Sequence, residues 1–184
     1  MSDTPWKEHG LDEHAWASLA RAELLALDVD GTLTDGRVIY VGDVESQEFC
    51  VRDGQGLVWL REAGVQLAWI TGRGSKPTER RAQELGVAAF RPRSGPKHEV
   101  LAALQEELGV APDATLAMGD DLPDLALARR ASFFAAPADA RPEVRLRADW
   151  VAPTRAGDGA VRALCELVLR ARGQWEALVA RYEG

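Results

Sequence analysis

The chain has 184 residues, 46% of them apolar and 28% charged, and a formal net charge of −7. These values describe one globular domain with a core of its own and exclude wholesale disorder. The acidic balance argues against a nucleic-acid or membrane surface but allows an anionic substrate, because local cations and a metal outweigh a distant average.

The N-terminal stretch mixes acids, bases and tryptophans, where a signal peptide needs a basic start and an unbroken apolar stretch. Residues 11–22 read as a short leader helix, so that 1–22 form an extension ahead of a domain at 23–184. "ELLALDVD" (23–30) is the first strand, and "VQLAWITG" (65–72), "ATLAMGDD" (114–121), "ASFFAAP" (131–137) and "ADWVAP" (148–153) follow it. Nearly continuous apolar strands of this kind suit a parallel sheet covered on both faces. Helical patterns lie between them at 54–63, 77–85, 97–108, about 121–129 and 159–171, with Pro96 a good first-turn residue and Gly109 a stop. The alternation predicts an α/β fold with a doubly wound parallel sheet and helices on both faces. One segment breaks it. "GRVIYVGDVESQEFCVRDG" (36–54) reads as a hairpin, strands 37–41 and 45–51 around Gly42-Asp43, whose apolar side chains have no partner inside a small α/β domain. That suggests a flap, or a surface that another subunit covers. No apolar run reaches the length of a membrane span. Cys50 and Cys165, the only two cysteines, give no disulfide framework and point to a reducing, cytoplasmic compartment.

The ligand site of an open α/β sheet lies at the carboxyl ends of its strands. Here those ends carry Asp28 and Asp30, then Thr71-Gly72-Arg73, then Gly119-Asp120-Asp121, and Lys97 opens a helix that the same topology can bring to that edge. One such turn is explained by capping; three successive strands delivering acids, a hydroxyl and a cation are not. The set suits metal-assisted phosphoryl transfer. An aspartate can attack phosphorus and form an aspartyl-phosphate. Asp28 and Asp30 point to opposite sides of an extended strand end, so that one can face phosphorus and the other the leaving oxygen as general acid. Mg²⁺ wants several oxygens, which Asp28, the Asp30 carbonyl and Asp120 can supply, while Thr71 and Lys97 serve the phosphate.

"DVDGTLTDG", "TGR", Lys97 and "GDDLPDL" resemble the four motifs of the haloacid-dehalogenase superfamily of phosphatases, over residues 22 to 172. The resemblance implies Asp28 as nucleophile, Asp30 as acid/base, Thr71 and Lys97 on phosphate and Asp120 on Mg²⁺, with Asp121 and Asp124 supporting the metal. The hairpin, "VRDGQGL", Arg81 eight residues beyond Arg73, and "GDGAVRALCELVL" are similar to the 3-deoxy-D-manno-octulosonate 8-phosphate phosphatases. That subfamily implies no cap domain, a role in lipopolysaccharide biosynthesis and a tetramer in which hairpins pack together and a neighbour helps close each site. It also implies substrate contacts at Asp53, Gly54, Gly72, Arg73 and Arg81, beside Asp30 and Lys97. Val58 departs from it, standing where a basic residue is common. Phosphatases of nine-carbon sugar acids, N-acylneuraminate 9-phosphate among them, share the architecture, as do phosphatase-like domains attached to sialic acid activating enzymes. A phospho-accepting receiver domain also combines Asp, Thr, Lys and an acidic pair around Mg²⁺. Its adjacent acids lie on the first strand and its acceptor on the third, the reverse of the order here.

Overall fold

A computed structural model of the protein describes residues 4–184. The leader contributes a short 3₁₀ turn and α1 (Glu13–Ala20), capped by the Asp12 carboxylate, which accepts from Ala15 N at 2.8 Å. The first three residues of the 1–22 extension lie outside the described residues. After β1 (Leu24–Leu27) come the hairpin strands β2 (Ile39–Val41) and β3 (Val44–Ser46), α2 (Val51–Glu62), β4 (Gln66–Ile70), α3 (Lys76–Leu85) and β5 (Ala89–Arg91). Then follow α4 (Lys97–Leu108), β6 (Thr115–Met118), α5 (Leu125–Ala128), β7 (Phe133–Ala136), α6 (Pro142–Arg145), β8 (Trp150–Val151), α7 (Ala160–Ala171) and α8 (Trp175–Glu183).

Six parallel strands form one sheet in the order β5-β4-β1-β6-β7-β8, and β2 and β3 pair with each other apart from it. Because strand side chains alternate, the sheet divides its apolar residues between two cores. Leu25, Leu27, Leu67, Trp69, Leu116 and Met118 face one layer with α1, α2 and α7. Leu24, Ala26, Ala68, Ile70 and Ala117 face the other, where α4 contributes Leu101 and Leu104 and α5 contributes Leu127. This is the doubly wound sheet that the apolar strands predict, with the hairpin attached and no inserted cap. The crossover reverses direction at β1, which has β4 on one side and β6 on the other. A crevice therefore opens beyond the carboxyl ends of β1 and β6.

Three short elements, β5, α6 and α8, go beyond the elements predicted from sequence. The second hairpin strand ends at Ser46 instead of 51, and α2 begins at Val51 instead of 54. Phe49 is the physical reason: its ring stacks on the buried Trp69, centroids 6.4 Å apart, which draws the chain down to the sheet before the helix starts. Among the described residues, no helix is long and apolar enough to cross a membrane.

Candidate active site

Parallel register brings three strand ends into line. Leu27 pairs with Trp69 on one side and Met118 on the other, and Asp28 N donates to Met118 O at 3.0 Å. Asp28 and Thr71 are thus the first residues past β1 and β4, and Asp120 the second past β6. The chain turns sharply after Val29, whose carbonyl accepts from the N–H groups of Thr32, Leu33 and Thr34. Gly31 makes this turn at φ +97°, and any side chain on it would overlap the Asp120 carboxylate. The glycine thus serves both backbone conformation and the approach of two strand ends.

Lys97 arrives from the far side. It shares the buried stripe of α4 with Leu101 and Leu104, at the helical spacing of four and seven residues. Packing of those leucines carries the lysine under the sheet edge. Its Nζ lies 2.5 Å from Asp28 Oδ1 and 2.5 Å from Asp124 Oδ1, and all three side chains are less than 10% exposed. Carboxylate oxygens of Asp28, Asp120 and Asp124 lie within 4.8 Å of one another. Burial pushes the Asp28 carboxyl up, the Asp124 charge adds to this, and Lys97 opposes both. Burial, Asp124 and Asp121 likewise raise Asp120 to about 7. Burial disfavours the Lys97 ammonium, yet Asp28 and Asp124 outweigh it and its pKa is raised. Three carboxylates facing one ammonium leave negative charge in excess. Clustered hard oxygens with that excess suit a divalent cation such as Mg²⁺.

Asp30 stands apart from this cluster. Its Oδ2 accepts from Thr71 Oγ1 at 3.0 Å and its Oδ1 from Gln47 Nε2 at 2.8 Å. Thr71 Oγ1 also accepts from Arg73 N at 3.1 Å. Arg73 turns to the hairpin, with Nη2 2.9 Å from Glu45 Oε1 and Nε 3.7 Å from Asp30 Oδ1. Arg81 pairs with Glu84 at 3.3 Å, and its guanidinium lies over Gly54 of α2, where a Cβ would obstruct it. With Val44, Glu45, Phe49 and Lys76 it lines a cleft of about 400 Å³ between the hairpin and α3. Gly72 is exposed, with open space where a Cβ would be.

Residues 44–132 match the haloacid dehalogenase-like hydrolase family. The 3-deoxy-D-manno-octulosonate 8-phosphate phosphatase of Escherichia coli (strain K12) is 39% identical over 161 residues, 85% of either chain. The chain belongs to this phosphatase family. The solved structure of the Moraxella catarrhalis enzyme, in complex with magnesium ion, phosphate ion and a KDO molecule, matches at a TM-score of 0.88 and 37% identity, over 91% of this chain and 97% of that one. A Xanthomonas campestris structure matches at 0.91 and 40% identity over the whole of both chains.

Two residues expected at this phosphatase's site lie elsewhere. Asp121 is exposed and caps the 3₁₀ turn Leu122–Asp124, its Oδ1 accepting from Leu122 N at 2.8 Å. Asp124, three residues on, is the one turned inward beside Asp28 and Asp120; its Oδ2 accepts from Asp120 N and Asp121 N. Of the two acids expected to support the metal, Asp124 has its carboxylate beside Asp28 and Asp120, whereas Asp121 caps the turn. Asp53 was expected on the substrate, but its side chain points into the protein. Oδ1 accepts from Arg162 N at 2.7 Å and Oδ2 from Gly159 N at 3.3 Å, so both oxygens cap α7. Burial raises this carboxyl, and the two N–H donors work against the rise. Conversely, Gln47 lies at the site without having been read as functional. In "VESQEF" it is one polar residue among several, and no local pattern sets it apart.

Proposed function

We propose that the protein is a Mg²⁺-dependent phosphomonoesterase that hydrolyses 3-deoxy-D-manno-octulosonate 8-phosphate through an aspartyl-phosphate. The observation that carries the reading is the division at the end of β1: Asp28 sits among Lys97, Asp120 and Asp124, while Asp30, two residues on, faces Thr71 and Gln47. Asp28 attacks phosphorus, and Lys97 holds the attacking carboxylate and the incoming phosphate against like-charge repulsion. Thr71 Oγ1 and the exposed Gly72 backbone receive a phosphate oxygen. Asp30 protonates the leaving sugar oxygen, then takes a proton from the water that hydrolyses the acyl-phosphate. Asp28, Asp120, Asp124 and the Asp30 carbonyl hold Mg²⁺, which when bound neutralises phosphate charge.

Arg73, paired with Glu45 of the hairpin, and Arg81, which lines the cleft between the hairpin and α3, are the cations for the sugar acid. Val58 packs partly buried against the main core, so no cation comes from that position. This favours a second reading, a nine-carbon sugar acid phosphate as substrate. The hairpin exposes Tyr40, Val41 and Val44 at 66–69%. We assign it to subunit packing in a tetramer that closes the open site, within a cytoplasmic enzyme of lipopolysaccharide biosynthesis. Residues 1–22 act as an extension of the 23–184 phosphatase domain. A phosphate-release assay with Mg²⁺ on the eight-carbon and nine-carbon keto acid phosphates tests the reading. The eight-carbon ester should give the highest kcat/KM, and a preference for a nine-carbon ester selects the second reading. No release from any of these esters sinks both.

A further inference from the structure

Gln47 follows β3, where the hairpin returns to the sheet edge, and both ends of its amide are engaged. Nε2 donates to Asp30 Oδ1 at 2.8 Å, while Oε1 accepts from Thr78 Oγ1 at 2.6 Å and from Ser75 Oγ. Ser75 and Thr78 are buried at the start of α3, and Ser75 Oγ also accepts from Thr78 N as the helix cap. The amide has one sensible orientation. An ionised carboxylate only accepts hydrogen bonds, so the NH₂ faces Asp30 and the carbonyl faces the two hydroxyls.

Asp30 therefore has two neutral holders, Gln47 on Oδ1 and Thr71 on Oδ2. They are not equivalent. A hydroxyl has a single proton to donate, so Thr71 cannot serve Asp30 and a phosphate oxygen at once. Phosphate binding thus releases Oδ2 and leaves Oδ1 in place. Arg73 is no substitute, since its Nε is 3.7 Å from Oδ1 and its Nη2 is held by Glu45. We propose that Gln47 is a positioning residue for Asp30, anchored by Ser75 and Thr78, which holds the carboxyl from the hairpin while Thr71 turns to phosphate. The proposal rests on the acid/base reading of Asp30. In that step a bond forms between Asp28 and phosphorus as the bond from phosphorus to the ester oxygen breaks. The electron pair stays on the ester oxygen, which takes the proton that Oδ2 picks up from solvent once Thr71 has released it. An Asp30 free to rotate would lose that geometry. The hairpin is then part of the proton-transfer apparatus as well as a surface.

The test compares two leaving groups. A sugar alkoxide needs the proton, whereas p-nitrophenolate leaves without it, and kcat/KM reports the steps up to its departure. Gln47→Met keeps the length and removes all three hydrogen bonds. It should lower kcat/KM on the sugar phosphate by about 10- to 100-fold, part of the ~10²–10⁴ that proton transfer contributes, and on p-nitrophenyl phosphate by no more than about threefold. The sugar phosphate loss should lie in kcat, with KM little changed. Ser75→Ala with Thr78→Val, which keeps Gln47 but removes its anchor, should show the same selectivity to a smaller extent. Equal losses on both esters, a loss confined to KM, or no loss would overturn the proposal. Asp30→Asn run beside them separates the two claims. If it is selective and Gln47→Met is not, the positioning role alone fails; if Asp30→Asn is unselective, the acid/base reading fails and takes the proposal with it.

Discussion

The buried acidic cluster and the hairpin-facing polar set meet at one strand end, yet their physics differs. In the cluster, Lys97 touches Asp28 and Asp124 in near-complete burial, and the acids are held close despite mutual repulsion. At Asp30, only 18% exposed, the contacts are with an amide and a hydroxyl, and the nearest cation is 3.7 Å away and half-exposed. An extended backbone sends residues two apart along different paths once it begins to turn, and the turn after Val29 does this here. One strand end thus supplies an anion set that calls for a divalent cation and a carboxyl set with neutral donors. The first suits metal-assisted attack on phosphorus, the second a carboxyl held in place beside the leaving oxygen.

The sharpest way to break this contrast is Asp28→Asn, which keeps shape but removes the nucleophile. Phosphate release should fall by several powers of ten while the fold survives by circular dichroism. A clean preparation that turns over near the parent rate would remove Asp28 from its role.

Metal removal acts on the cluster alone. Chelation should stop activity, Mg²⁺ should restore it, and Ca²⁺ should do so poorly, because it prefers longer bonds and more ligands. Stability should report the same charge. In the metal-free protein the Asp120 carboxyl stands at about 7 against an ordinary 3.8, so the unfolded chain loses this proton first. Its contribution is complete below the unfolded value and is lost as pH rises towards about 7. The metal-free Tm should therefore decline over that window, and stabilisation by added Mg²⁺ should grow. A Mg²⁺ effect on Tm that is the same at both ends of the window would speak against this charge balance.

On the other side of the comparison, Ile39→Glu with Val41→Glu puts two charges on one face of β2. Light scattering should show a smaller particle, and kcat/KM on the sugar phosphate should drop on the order of 10- to 100-fold through lost enclosure. A small aryl phosphate should lose less. A parent protein that is already monomeric, or a mutant that keeps its mass and selectivity, would show that the hairpin does not assemble the enzyme.

The smallest catalytic effect belongs to Asp53→Ala. Losing a cap costs about 1–2 kcal/mol, which in a domain of this size lowers Tm by about 2–4 °C per kcal/mol. Thermal unfolding should show the loss, with kcat and KM close to the parent values. A rise in KM without a change in Tm would return Asp53 to the substrate.

Much of this was legible in the sequence because it is written in local periods. Continuous apolar strands, acids at their ends and Pro96 ahead of Lys97 at a helix start are patterns within a few residues. They determined a doubly wound sheet and the convergence of Asp28, Asp30, Thr71, Lys97 and Asp120 on one edge. Which acid of Asp120, Asp121 and Asp124 turns inward was decided by a single 3₁₀ turn, where a change of one residue swings a side chain through about a third of a circle. Asp53 was decided by α7, more than 100 residues away, whose N-terminal N–H groups needed a partner that their own segment lacked. Gln47 acquired its place only when the hairpin folded back over Asp30 and met Ser75 and Thr78. A side chain's direction is local and follows from backbone period, but its partner depends on which distant surface packs against it, and that is set by the whole core.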